Sequence, residues 1–471
     1  MEKNTAILLL ILTLAFLIRV PAINDEIPIG WDSSVYVLNA KFFAGNEIYF
    51  EDLRPPLLPF MLTPFSESRE MMLFFNMVLS VASILAAYLL IKEISSERTA
   101  LLTSALLAAN ALFLQWTARI GIESGSILFS CLVLYFFIKA KKDPRYFYGV
   151  GTASALAFLF RYNLGLAGAL GGIWFLASLE SKEEFKKLVT QKHLWGGVLL
   201  MIALTSIWFA FNQQMFGNPL WSVQEGFRVF SNDFALFQPG DYYIKNFFLL
   251  IDPLTAVFFF VGLLSLKNLQ GKKRLLLIWL MVIVIFFQFQ GVKEMRYLIP
   301  VLPVMLFFSV EGIERVLERV KLKKHDFIVV LVLMIIQLSF IVYFYQFAID
   351  PPYCEKSYGV KEAGLYMKDL PEGTMIYTNS WPMIAFYSEH YIKGIFVTTE
   401  ETRVMGDLKR VDYVVFTKPW IEYPIKKEFL DSLEELEYIG EWGTCHKTWV
   451  YRVKEEYKEK QECERPWDMH F

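Results

Sequence analysis

The chain is short of charge, histidine and cysteine for its 471 residues. Only 20% of positions are Asp, Glu, Lys or Arg, with five histidines and four cysteines. The histidines are scattered, and no histidine or cysteine pair has metal-ligand spacing, so a zinc-type centre is not indicated. His390 beside Glu389 reads as a surface pair. No Walker-type glycine loop occurs, which leaves nucleotide use at a cytoplasmic face without a signal. The Gly-x-Ser-x-Gly elbow is absent as well. A formal net charge of -2 gives no basic footprint, and nucleic acid is not an implied partner. Internal repeats and low-complexity segments are missing too.

What is abundant is apolar surface. The chain is 55% hydrophobic and 17% aromatic, with a mean hydropathy of +0.38. Those values lie outside the range of soluble globular proteins. Apolar runs recur from Thr5 to Phe347, at about 5–21, 70–91, 99–117, 124–139, 146–160, 162–179, 195–211, 246–266, 275–290, 297–311 and 326–347, each long enough to cross a bilayer as a helix. This predicts a polytopic α-helical membrane protein with about eleven transmembrane helices. The first run, TAILLLILTLAFLIRV, has no small-x-small cleavage site before PAIND and reads as a retained span rather than a signal.

Alternate loops separate by charge. KEISSER, KAKKDPR, SKEEFKKLVTQK, KNLQGKKR and ERVLERVKLKK carry most of the basic residues of the membrane part, which makes them cytoplasmic, together with the N-terminus. The segment from Pro21 to Pro64, the turns near Arg119 and Arg161, the loop from Asn212 to Lys245 and QGVKEMR then face outward. The stretch from Tyr146 to Leu179 suits either one long helix or two short ones. Basic loops on both sides require an even number of crossings, so a turn at FRYN is expected.

After Asp350 the pattern becomes that of a soluble domain: a helix (VKEAGLYMKDL), strands (TMIYT, VDYVVFT), an acidic helix (KKEFLDSLEELEYI) and a closing strand (TWVYRV). The expected organisation is a transmembrane domain at 1–349, with outer loop 1 at 22–69, and an extracytoplasmic α/β domain at 350–471 ending in a polar tail. Cys354, Cys445 and Cys463 lie in that outer domain and Cys131 within a span; an outward compartment permits a disulfide, and Cys354 with Cys445 is the expected pair.

The chemistry concentrates at the outer end. Outer loop 1 holds Asp25, Glu26, Asp32, Glu47, Glu51 and Asp52, and Asp32 stands out because Trp31 and Tyr36 flank it in GWDSSVY. SVYVLNAKFFAG after it can form an amphipathic helix along the membrane surface. Asp32 either caps that helix or is a carboxylate in a partly dry cleft, tuned as a general base. Four outward arginines, Arg54, Arg119, Arg161 and Arg296, each fall at an expected helix end. Snorkelling would explain any one of them. Four on one side suit an anionic headgroup, because guanidinium forks bind phosphate in bidentate fashion. Glu123, four residues after Arg119, is a second acid, which can pair with Arg119 or hold a metal or a substrate hydroxyl.

These motifs resemble a family. Asp32 followed by Tyr36, then Ala40, Gly45 to Tyr49 and R-P-P-L, is similar to the first outer loop of the lipid-phosphate-sugar-dependent glycosyltransferases of the GT-C fold. The branch is that of protein O-mannosyltransferases and bacterial aminoarabinose transferases. ARIGIESGSILF looks like the second outer loop with its acid, SALAFLFRYNLG like a basic span end, and MRYLIPVLP like the R-Y-x-x-P-x-x-P segment. The family's first loop usually pairs two acids, whereas Ser33 follows Asp32 here and the Asp-Glu doublet is Asp25-Glu26; spacing to Tyr36 and RPP favours Asp32. The W-W-D-Y-G signature of oligosaccharyltransferases is absent, so en bloc glycan transfer is not expected.

The resemblance implies a GT-C-like fold and transfer of one sugar from a polyprenyl (dolichyl or undecaprenyl) phosphate donor to a protein, lipid or glycan acceptor at the outer membrane face. Inversion is implied, with Asp32 and Glu123 catalytic, and Arg54, Arg119, Arg161 and Arg296 on the donor phosphate. Tyr36 and Tyr297 are supporting residues, and a divalent metal, if used, would sit on Asp32 and Glu123. The alternative is a transporter or flippase of a lipid-linked sugar, in which intramembrane charges line a path; the charged residues singled out gather instead on one side. A membrane-anchored receptor would leave the membrane-domain arginines unexplained.

Overall fold

The computed structural model describes residues 3–23, 28–232, 238–264, 271–322, 325–348, 356–395, 399–418, 425–443 and 447–458. Asp25, Glu26, Cys354, Cys445 and Cys463 lie outside them, and with them the expected disulfide. The chain divides into two compact units. One comprises Met1–Ile23, Leu53–Leu58 and Leu73–Phe344; the other comprises Asn24–Asp52, Pro59–Met72 and Tyr345–Phe471.

The first unit is helical. Each apolar stretch of the sequence is helix over most of its length. Among the described residues, Arg69–Ile94, Glu123–Ala140, Lys192–Phe216 and Met295–Arg319 are each long and apolar enough to cross a membrane. Glu97–Ala109 and Ala111–Thr117, bent by 59°, pass the same test as a pair, and Tyr146–Phe160, Tyr162–Ala177, Pro253–Leu263 and Asp326–Ser339 are shorter apolar helices. The bend at Asn110 has a local cause: its side chain leaves the first helix to accept the Phe113 N–H at 2.9 Å, while its amide donates to the Leu250 carbonyl at 3.0 Å.

The expected turn at FRYN is present. The helix Tyr146–Phe160 ends at Arg161, whose extended backbone (φ -159°, ψ 113°) breaks the helical path before the chain resumes at Tyr162. Other helices approach closely through glycine. A methyl group built on Gly312 would run into the Phe258 carbonyl and one on Gly262 into the Phe308 carbonyl, so Pro253–Leu263 and Leu302–Arg319 cross with their backbones in contact.

Residues of several basic segments pair with one another or with neighbouring helix ends. Lys139 and Lys142 pair with Glu93, Lys272 donates to the Glu93 carbonyl, and Lys141 donates to the Ser178 carbonyl. Lys273 pairs with Glu311, and Arg98 with Asp326. Lys92, Tyr88 and Asn4 converge on Glu97; the Lys92 ammonium, before the two neutral donors, holds its carboxyl down at about 2.

The second unit contains a five-stranded sheet: β1 (Met375–Thr378), β2 (Tyr391–Gly394), β3 (Tyr413–Thr417), β4 (Leu436–Trp442) and β5 (Thr448–Val453), in the order β2-β1-β3-β5-β4. β1, β2 and β3 are parallel, whereas β5 pairs antiparallel to both β3 and β4. Successive side chains alternate faces. Ile376, Tyr413, Val415 and Val450 face the helices Lys356–Lys368 and Trp381–Ser388, while Tyr377, Val414, Phe416 and Tyr451 face Glu401–Leu408 and Lys427–Asp431.

Some local expectations change. KKEFLDSLEELEYI is not one helix: it is helical only over Lys427–Asp431, then turns into β4, because Tyr438 pairs with Tyr451 across the sheet. Glu389 and His390 are not a surface pair. Glu389 ends a helix with a left-handed backbone and pairs with Lys41 and Lys368, whereas His390 is buried.

Candidate active site

In the first unit the helix Glu123–Ala140 begins with Glu123, which is only 3% exposed, and Arg296 lies at the start of a 3-10 segment, Met295–Val301. The Arg296 Nη1 stands 3.7 Å from Glu123 Oε1, and its Nη2 is 2.7 Å from Glu294 Oε1. Its guanidinium also sits 4.5 Å from the centre of the Trp116 ring. Arg119 approaches the same ring at 5.5 Å. Two guanidiniums therefore share one indole, an arrangement that like charge alone would oppose and that the ring quadrupole and the two carboxylates offset.

Arg161 is brought to the same place from another helix. Buried at 6% exposure, its guanidinium lies 5.4 Å from each of the Phe287 and Tyr297 rings, which stack on each other at 5.1 Å. Tyr297, adjacent to Arg296, donates its hydroxyl to Glu294 at 3.3 Å. Arg161 and Arg296 thus both stand against Tyr297, 5.4 and 5.6 Å from its ring. Arg54 is placed by its backbone, whose carbonyl accepts from the Tyr162 hydroxyl at 3.4 Å; Trp208 in turn donates to that hydroxyl at 3.1 Å.

The sequence left Glu123 to pair with Arg119 or to hold a metal or a substrate hydroxyl; the structure gives it Arg296 as an ion-pair partner. Asn76 donates to the carbonyls of Thr117 and Arg119 at 3.3 and 2.6 Å. Gly121 makes room for the carboxylate: a Cβ there would stand 2.6 Å from Glu123 Oε2.

Two residues escaped the sequence reading. Arg19, at the end of the first apolar run, is 2% exposed; it donates to the Thr117 hydroxyl at 3.2 Å and the Ala15 carbonyl at 2.8 Å, and rests on Phe113. Its signal was the lone arginine in LIRV, which also reads as an ordinary span end. Tyr243 is 5% exposed, with Arg161 and Tyr297 among the groups acting on it electrostatically. Burial raises the pKa of its phenol, and its hydroxyl has no hydrogen-bond partner among the described residues. Nothing in GDYYIKN distinguished it from its neighbour.

Asp32 and Tyr36 belong to the second unit. They lie in the helix Trp31–Phe43, capped by Gly30 rather than by Asp32, so the capping role is corrected: Asp32 occupies the first turn, where the helix dipole favours its charge. The helix is not a surface amphipath either. Residues from Ser33 to Ala40 are buried without interruption, Tyr36 at 1% exposure among them. Tyr36 follows Asp32 by one turn and shares its face. Asn39 closes the loop behind them, exchanging 2.8 and 2.9 Å bonds with the Glu51 backbone. Among the described residues no three His, Cys, Asp or Glu side chains form a metal-binding group.

The fold, a helical unit and a unit with a small mixed sheet, is similar to that of known GT-C glycosyltransferases. Residues 54–210 match the family model of the dolichyl-phosphate-mannose-protein mannosyltransferases. Among solved structures, ArnT from Cupriavidus metallidurans bound to undecaprenyl phosphate superposes with a TM-score of 0.69 at 12% identity, covering 98% of this chain and 100% of that one. The apo oligosaccharyltransferase of Archaeoglobus fulgidus gives 0.57 at 13% identity, covering 88% of this chain and 69% of that one. The archaeal oligosaccharyltransferase AglB from Archaeoglobus fulgidus, in complex with an inhibitory peptide and a dolichol-phosphate, gives 0.52 at 15% identity over 87% and 69%. No curated protein matches by sequence. The family resemblance drawn from the motifs is borne out by the family match and by the fold.

Proposed function

We propose that this protein is a membrane glycosyltransferase that moves a single sugar from a polyprenyl-phosphate carrier to an acceptor hydroxyl at the outer membrane face. The observation that carries the reading is the cluster of Arg161, Arg296 and Arg119 around Trp116 and Tyr297 at one end of a GT-C-like fold. Such preorganised cations stabilise the charge that develops on a departing phosphate. The acceptor oxygen attacks the anomeric carbon as the carbon–oxygen bond to phosphate breaks, with inversion. The bonding pair leaves with the carrier phosphate, and the acceptor proton passes to Asp32. The N-terminus and the basic loops are cytoplasmic in this reading, and the α/β domain lies outside.

The arginines divide the work. Arg296 already balances Glu123 and Glu294, so its role is to fix Glu123 and lend partial charge. Arg161, set on two aromatic rings, is the better phosphate ligand. Arg161→Ala is expected to raise the KM for a synthetic polyprenyl-phosphate sugar by ~10–100-fold, the worth of a charge-assisted hydrogen bond, and Asp32→Asn to abolish turnover while donor binding persists. Undiminished turnover in Asp32→Asn removes the base assignment. A chain that translocates the lipid-linked sugar without transferring it would be a transporter.

A further inference from the structure

The α/β domain is more than an appendage, because one of its helices grips the segment that carries Asp32. The Ile29 N–H, three residues before the aspartate, donates to the Tyr387 hydroxyl at 2.8 Å. Trp31, immediately before it, meets Trp381 edge to face, with ring centroids 4.4 Å apart and planes at 79°. The same indole packs against the apolar layer formed by Val360, Met383, Ile384 and Val415. Nine residues beyond Asp32, Lys41 pairs with Glu389 at 3.6 Å and lies over the Phe386 ring at 5.8 Å. Trp381, Phe386 and Tyr387 all belong to the helix Trp381–Ser388, and Glu389 is its C-terminal cap.

These contacts bracket Asp32 along the chain, and they differ in kind: a hydrogen bond, an aromatic pair and an ion pair. Together they fix the position, rotation and direction of the helix Trp31–Phe43. The gripping helix is itself rigidly placed. Gly364 lies so close that a Cβ there would be 2.5 Å from that of Tyr387, so Tyr387 is wedged against its neighbouring helix. Asp32 sits at the N-terminal end of its helix, where the backbone has no preceding turn to hold it, and the tether to Ile29 and Trp31 supplies that restraint.

We propose that the helix Trp381–Ser388 is the positioning element for Asp32, with Tyr387 and Trp381 as positioning residues. The inference rests on the reading of Asp32 as the general base. A base misplaced by a fraction of an ångström loses rate without losing substrate affinity. The α/β domain therefore sets the rate of transfer and leaves recognition of the carrier phosphate unaffected.

The test uses the full-length protein in nanodiscs with a synthetic polyprenyl-phosphate sugar. Tyr387→Phe removes one hydroxyl and keeps the ring. The expected result is faster hydrogen exchange at the Ile29 amide, a kcat lower by about tenfold, and an unchanged donor KM. Trp381→Ala should lower kcat further, with Trp381→Phe restoring most of it. Accelerated exchange with an unchanged kcat reduces the contact to packing and overturns the proposal, as does unaltered exchange, or a rise in donor KM at constant kcat. Asp32→Asn, assayed beside them, separates the two readings. If it abolishes turnover while Tyr387→Phe does not lower it, only the positioning role falls; if it turns over normally, the base assignment falls with it.

Discussion

Gly121→Ala isolates the contribution of Glu123 with a single methyl group. The new Cβ would stand 2.6 Å from Glu123 Oε2, whereas carbon–oxygen contacts are relaxed only beyond about 3.2 Å. Because the obstacle is the tip of a side chain rather than backbone, the carboxylate retreats by about 0.5 Å or rotates, at a cost to stability below about 1 kcal/mol. Its place opposite Arg296, at 3.7 Å, is then altered. If Glu123 acts in transfer, by holding Arg296 or touching substrate, a shift of that size lowers kcat by about tenfold, since misplacement by 1 Å costs roughly a hundredfold. The assay is single-turnover transfer from a radiolabelled polyprenyl-phosphate sugar, run beside a thermal melt. A variant that melts normally and transfers at the parental rate would refute a role for Glu123. A variant that melts much earlier would refute the view that the carboxylate yields freely.

Gly312→Ala drives a methyl into the Phe258 carbonyl, which cannot yield, so the two helices must separate; a destabilisation of about 1–3 kcal/mol is expected in a denaturant titration, and an unchanged midpoint would contradict the crossing. Asn379, 5% exposed, exchanges two 2.8 Å bonds with the Thr417 backbone at the carboxyl ends of β1 and β3. Asn379→Ala should destabilise the α/β domain by about 2–3 kcal/mol, read from hydrogen exchange in β1 and β3, and a loss under about 0.5 kcal/mol would contradict those bonds. Tyr243→Phe removes a buried hydroxyl that has no partner among the described residues, so the substrate-free protein should melt at the same temperature or higher, by up to about 1 kcal/mol; a lower melting temperature would show that the hydroxyl is paired in solution.

Much of the helical part was legible because its signals are local. Apolar length marks each helix, and the charge of the loops sorts them, since hydrophobic transfer and the positive-inside bias act segment by segment. The break at Arg161 was also legible, from the need for an even number of crossings. The arginines could be picked out as a group, but not their partners. That Arg296 stands against Glu123, and that Asn76 holds the Arg119 turn by its carbonyl, are contacts between residues far apart in sequence. Tyr243 and Arg19 were invisible for the same reason: burial next to a particular neighbour has no periodicity to betray it.

The α/β domain shows the converse. Strands β1, β3 and β5 could be read from β-branched and aromatic runs, but β4 hid in an acidic sequence with helical propensity. Pairing with β5 overrode that propensity, because a strand position is set by its cross-strand neighbours.

The sequence by itself determined which apolar stretches become helices, that basic loops alternate between them, and which aspartate and four arginines stand out from that pattern. Only the tertiary structure decided which charges meet, that Trp116 and Tyr297 are the rings on which the guanidiniums rest, and that the start of GWDSSVY meets Trp381 while Ile29 before it bonds Tyr387. The physical reason is range. Hydropathy, charge alternation and turn chemistry are properties of neighbours in the chain, whereas pairing, stacking and the placement of a base are contacts between residues up to hundreds of positions apart, fixed only when the whole fold is packed.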